Sequence, residues 1–224
     1  MKRFLRDNAL SLFFLVIFVL ALAGQSFAGN ADYNARQVAA GGAPISWPAY
    51  VTSSDFAVDV AENWQSEYLQ FLLFIMVTVW LVQRGSPESK KPGEEGTGDD
   101  AQQKVGAHAR PDSPSWAKGT GLRPALYGAS LGMVMGLFFV SSWVAQWVAG
   151  RAAYNAEQLS QLQDPVSALE YLGSPDFWNR TLQNWQSEFL AVLSMVVLSV
   201  YLRQRGSPES KPVGTPHGVT SEEN

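Results

Sequence analysis

The chain contains no cysteine, which excludes disulfides, thiolate metal sites and thiol nucleophiles together. Histidine is nearly as scarce. Only His108 and His217 offer an imidazole, and both lie in polar stretches rich in Gly and Pro, where a solvated ring is the ordinary outcome. A histidine-based catalytic or metal site is therefore not expected. No phosphate loop, nucleophile elbow, zinc motif or dinucleotide fingerprint is present. No cofactor and no nucleic-acid partner is expected, and an enzyme is not the expected class.

The sequence has instead four apolar runs, at residues 9–28, 64–82, 126–148 and 185–202. Each approaches the ~20 apolar residues needed to cross ~30 Å of hydrocarbon. The near-neutral mean hydropathy of −0.05 hides them, because the charges sit between the runs. There are eight tryptophans, and most fall near the ends of these runs, where aromatic belts form.

A repeat organises the chain. Asn63-Trp64-Gln65-Ser66-Glu67 opens a stretch that closes in Gln83-Arg84-Gly85-Ser86-Pro87-Glu88-Ser89-Lys90, and the stretch recurs from Asn184-Trp185-Gln186-Ser187-Glu188 to Gln204-Arg205-Gly206-Ser207-Pro208-Glu209-Ser210-Lys211. Over 28 positions, 17 are identical at an offset of 121. The offset holds without a gap from about residue 5 to 90 against 126 to 211. Each unit reads as span, polar segment, span. Two spans return the chain to its starting side, so the two hairpins run parallel, related by a pseudo-twofold axis along the membrane normal.

The basic start, the first apolar run and Ser26-Phe27-Ala28 also fit a cleaved signal peptide. The repeat favours a span: residues 28–37 match 149–158, so the first run corresponds to 126–148, deep in the chain. Of 16 Lys and Arg, only Arg36, Arg151 and Arg180 lie between paired spans. By the positive-inside rule the N-terminus, the linker and the C-terminus are cytoplasmic.

The expected organisation is a first hairpin over 1–90, a disordered cytoplasmic linker over 91–121, a second hairpin over 122–211 and a disordered tail over 212–224. The linker and tail are too polar to bury a core. Ser174-Pro175-Asp176 predicts a helix start, with Ser53-Ser54-Asp55 at the matching place. One helix is expected over 54–83, and short separate helices over 33–40 and 154–162. Arg84-Gly85-Ser86-Pro87 reads as a helix stop. The Glu-Ser-Lys beyond it, present twice, is open as a contact for a protein partner or lipid headgroups.

The sharpest candidates for function are Glu67 and Glu188. The uninterrupted apolar runs inside them, 68–82 and 189–202, cover about 21–23 Å, so a polar residue enters the outer leaflet. An acid inside a span is by default a functional hypothesis. Gln25, Gln146, Asn63 and Asn184 are available to form a polar cluster with them. The competing reading makes Trp64 and Trp185 interfacial anchors and leaves each glutamate within reach of water. Gly128, Gly132 and Gly136 form a small-residue face for close helix packing on the third span.

The run Arg3-Phe4-Leu5-Arg6-Asp7-Asn8 through Ser11-Leu12, with Tyr-Asn-Ala and the two doubled motifs, resembles a bacterial family of small membrane proteins carrying a domain of unknown function. The resemblance covers nearly the whole chain except linker and tail. It implies a bacterial inner membrane and assigns no activity or site residue. The expected fold is all-α: an integral membrane four-helix bundle made of two tandem two-span hairpins, with the lipid bilayer as its surroundings. The expected role is structural or interactive; the alternative is a small transporter or channel using Glu67 and Glu188.

Overall fold

The computed structural model describes residues 2–220; Met1 and residues 221–224, the end of the expected tail, lie outside the described residues. Among the described residues there are helices and no strands. In chain order they are α1 (Lys2–Asp7), α2 (Ala9–Ala39), α3 (Trp47–Val51), α4 (Ser54–Val77), α5 (Asp100–Gln103), a 3-10 turn (Gly106–His108), α6 (Leu122–Ser160), α7 (Ala168–Leu172) and α8 (Pro175–Tyr201). Within the 91–121 segment, α5 is held by a capping box between Asp99 and Gln102.

Two of these helices, α2 and α6, are long and apolar enough to cross a membrane. They run for 31 and 39 residues, so the short helices expected over 33–40 and 154–162 are corrected to the C-terminal ends of α2 and α6. Neither helix has an internal proline beyond its first turn, and nothing else interrupts them. The expected spans at 64–82 and 185–202 are not among the helices that meet this measure. The first reason is that α4 ends at Val77, not near residue 83. The Thr78 hydroxyl donates to the Phe74 carbonyl at 2.6 Å, competing with the backbone ladder where Thr and Val adjoin. Apolar helix from Tyr68 to Val77 covers only about 15 Å. The start of α8 is as the sequence predicts: the Ser174 side chain accepts from the Phe177 N–H and Pro175 follows at the first turn.

The chain divides into two compact bodies, Met1–Ala61 with Ala145–Tyr171, and Glu62–Val144 with Leu172–Asn224. In the first, the segments after α2 and α6 are folded back by the same bonds. Asn34 accepts from the Ile45 N–H at 2.8 Å and donates to the Ile45 carbonyl at 2.9 Å. Asn155, 121 positions on, makes the same pair with Val166 at 2.8 and 3.0 Å. Beside them Tyr50 and Tyr171, at 2% and 0% exposure, pack against Gly29 and Gly150. A Cβ built on these glycines would lie 2.9 Å from Tyr50 Cζ and 3.1 Å from Tyr171 Cζ, so only glycine lets the ring approach.

In the second body Trp143 gathers an aromatic cluster, with ring centroids 5.5 Å from Phe139, 6.1 Å from Phe177 and 6.1 Å from Trp185. The small-residue face of α6 lies against α4. A Cβ on Gly132 would meet Met76 Sδ at 3.3 Å and one on Gly136 would meet Leu72 at 3.8 Å, whereas Gly128 faces open space.

Gly150→Ala should destabilise the protein by about 1–3 kcal/mol through overpacking, read as a lower melting temperature in detergent. Adding Tyr171→Phe, which removes the nearest atom, should recover part of the loss; a Gly150→Ala melt equal to the native one would refute the constraint. Gly132→Leu should lower the melting temperature while Gly128→Leu leaves it unchanged, and equal effects would show that α4 does not depend on that face.

Candidate functional site

The doubled stretch opens on helix α4. Val58, Ala61, Gln65 and Leu69 are all buried and share one helical stripe, so Gln65 is carried into the interior by its apolar neighbours. At 0% exposure, its Oε1 accepts from the Trp185 indole N–H at 2.8 Å and its Nε2 donates to the Glu62 carbonyl at 3.1 Å. Glu62 pairs in turn with Arg180 at 3.1 Å, and Arg180 with Asp176 at 3.3 Å. Ser66 and Ser187 each donate back to the carbonyls of Asn63 and Asn184, at 2.8 and 2.9 Å.

The two expected anchors differ. Trp64 is 40% exposed. Trp185 is half-buried, turned to Gln65 and Trp143, and ties α8 inward. Of the expected polar cluster, Glu67 and Glu188 are near enough for their charges to interact, Glu67 exposed and Glu188 half-buried. Asn63 is exposed, and Asn184 donates to the Arg180 carbonyl at 2.9 Å. Gln25 and Gln146 belong to the other body; Gln25 is exposed and Gln146 is fully buried.

The closing motif is not the helix stop expected of it. Gly85 and Gly206 adopt φ of +87° and +81°, but α4 and α8 have already ended at Val77 and Tyr201. The eight residues form a turn of their own, built identically twice. Ser89 accepts from the Gln83 N–H at 2.8 Å, and Ser210 from the Gln204 N–H at 2.9 Å. Ser86 and Ser207 accept from the N–H of Glu88 and Glu209, both at 3.2 Å. Lys90 donates to the Gly96 carbonyl. Lys211, 3% exposed, donates to the carbonyls of His217 and Val219, both at 2.9 Å. The two serines and the lysine of each copy therefore hold the turn and the chain after it.

Glu88 and Glu209 remain, and they meet. Both line a cavity of about 190 Å³ whose other walls are Gln70, Phe71 and Phe74 from α4 and Ala191, Val192 and Met195 from α8. These eight residues are four pairs at the 121 offset. Burial first, then the hydrogen bond and charge of Glu209, push the Glu88 carboxyl up to about 7. Glu88 is half-buried and Glu209 exposed, and a carboxyl that keeps its proton can donate it in a hydrogen bond to a neighbouring carboxylate. The sequence leaves Glu88 and Glu209 open as a contact for a protein partner or lipid headgroups, not for each other, and does not single out Gln65. The signals were a polar residue on an apolar stripe and an acid left over once the motif's other side chains are assigned.

Among the described residues no three His, Asp or Glu side chains come together to hold a metal ion. A family model described as "Domain of unknown function (DUF6766)" matches residues 1–222. Comparison with curated proteins and with solved structures gives no significant match.

Trp185→Phe should leave the buried Gln65 oxygen unsatisfied and cost about 1–3 kcal/mol. Pairing it with Gln65→Leu should cost less than the sum of the single changes. A double-mutant cycle on chemical unfolding measures the coupling, and additive losses would mean the bond contributes nothing of its own.

Proposed function

We propose that the chain, which belongs to the DUF6766 family, is a non-catalytic integral membrane protein with a structural or interaction role. It is a four-span bundle of two tandem hairpins, 1–90 and 122–211, about a pseudo-twofold axis along the membrane normal. Both termini and the linker lie in the cytoplasm of a bacterial cell, and the bundle lies in its inner membrane. Exposure supports the membrane: the apolar windows of α2 and α6 are only 6% buried, the reverse of a soluble core helix. α6 also lies far from the N-terminus, where a signal sequence would sit. The distribution of Lys and Arg supports the orientation.

One observation carries the non-catalytic reading. Several polar side chains of the doubled segments bond to the chain's own backbone and to each other: Gln65 with Trp185, the motif serines with the turns they close, and Lys211 with the carbonyls beyond it. A protein partner at the cytoplasmic motif ends would meet Arg84 and Arg205, which are exposed. The transporter reading keeps one observation in its favour, the proximity of Glu67 to a half-buried Glu188.

Reporter fusions placed in residues 91–121 should report the cytoplasm; an extracytoplasmic signal would overturn the orientation. In proteoliposomes under a proton gradient, Glu67→Gln with Glu188→Gln should leave proton flux at the level of the native protein. A native flux abolished by the double change, with the melting temperature retained, would favour the transporter instead.

A further inference from the structure

We propose that Glu88 and Glu209 form a proton-dependent clasp: a proton held on Glu88 bonds the two closing motifs together over the cavity between α4 and α8, and when Glu88 ionises the motifs separate. The clasp stands on geometry. The backbone of each glutamate is held by the same bond, its N–H to Ser86 or Ser207 at 3.2 Å, and of the two side chains Glu88 is half-buried and Glu209 exposed. Both reach the same cavity. The groups that face them offer no counter-charge. α4 presents Gln70, Phe71 and Phe74, and α8 presents Ala191, Val192 and Met195. Lys90 and Lys211, the nearest cations in the motifs themselves, are directed to backbone carbonyls. Arg84 and Lys91 line a different cavity, with residues 218–220.

The sign follows from the Glu88 carboxyl, whose affinity for its proton rises from an ordinary 4.5 to about 7 in the folded chain. A carboxyl with a raised folded pKa binds more protons folded than unfolded between those two values. Its contribution is therefore full below about 4.5, falls as pH rises through that window, and becomes a constant penalty above about 7. The clasp is closed in acid and open in base. A second contact between the copies, Ser86 with Ser199 at 3.4 Å, is independent of pH and sets how far the motifs can part. Under the orientation proposed above, the clasp would respond to cytoplasmic pH, but its operation in detergent does not depend on that orientation.

The absence of native cysteine makes the test direct. Spin labels on Gln83→Cys and Gln204→Cys, two exposed positions at the base of the motifs, report their separation by pulsed electron resonance. The full chain in detergent should give a narrow distance distribution at pH 5 and a longer, broader one at pH 8.5, with a midpoint near 7. Adding Glu88→Gln and Glu209→Gln, neutral amides that can still hydrogen-bond, should give the narrow distribution at both pH values. Glu209→Gln alone should do the same, because its amide donates to an ionised Glu88, and it serves if the double change does not fold. A native distribution independent of pH, or an amide variant that still opens near pH 7, would overturn the clasp.

Discussion

Satisfaction of polar groups inside an apolar exterior is the constraint on which the rest of this structure depends. The exposed faces of α2 and α6 are Leu, Phe and Val, while Gln65, Ser66, Ser86, Gln146 and Thr181 are among the most buried residues. An unpaired polar group in such surroundings costs several kcal/mol, and around a membrane span no water is at hand to take its place. The chain answers with short, local bonds. Asn34 and Asn155 each satisfy both backbone groups of one residue in the returning loop, which fixes where the chain turns back and thus where Tyr50 and Tyr171 come to rest. The glycines beneath those rings follow as a requirement of packing.

The duplicated halves show which of these bonds is constrained by place and which by residue. Ser26 accepts from the Trp47 indole at 3.1 Å. In the second half the tryptophan has changed sides: Trp147, matching Ser26, donates to the carbonyl of Ala168, which matches Trp47, at 2.8 Å. The bond between the two positions is kept while the residue types trade. Asn30 and Arg151 behave alike, both donating to the carbonyl that the paired asparagine holds. What each site demands is a donor within reach, and a helix surface can supply it from either partner.

This explains how much was legible beforehand. Hydropathy and the 121-residue offset located the helices and the likeness of the two halves, because apolar runs and identical motifs are linear features. The Tyr-Asn-Ala pairs were noticed as likeness, but the role of Asn34 and Asn155 depends on a loop coming back 11 residues later, which no periodicity records. The end of α4 was misplaced because Thr78 and Val79 look like span residues in composition, and the side-chain bond of Thr78 to Phe74 is not a compositional property. Glu67 drew attention by its depth in a run. Glu88 is open in the sequence only as a contact for a partner or headgroups, because its place beside Glu209 on one cavity is a relation between two turns 121 residues apart.

That relation follows from duplication itself. The cavity brings residues of one copy beside their counterparts at the 121 offset, and the consequence depends on their chemistry. Apolar copies share a wall, as Phe71 with Val192 and Phe74 with Met195 around one cavity. Serine copies can bond, donor to acceptor. Lysine copies would repel, and Lys90 and Lys211 are found turned to separate sets of carbonyls. Carboxyls are the case in which repulsion becomes attraction on gaining a single proton, since one neutral acid can then donate to its ionised copy. An acid beside its own copy is therefore the one residue type in the motif whose pairing energy changes sign with pH. In both copies the acid sits on a turn whose backbone N–H is bonded to the motif serine, so the clasp proposed above would couple that change to the two turns.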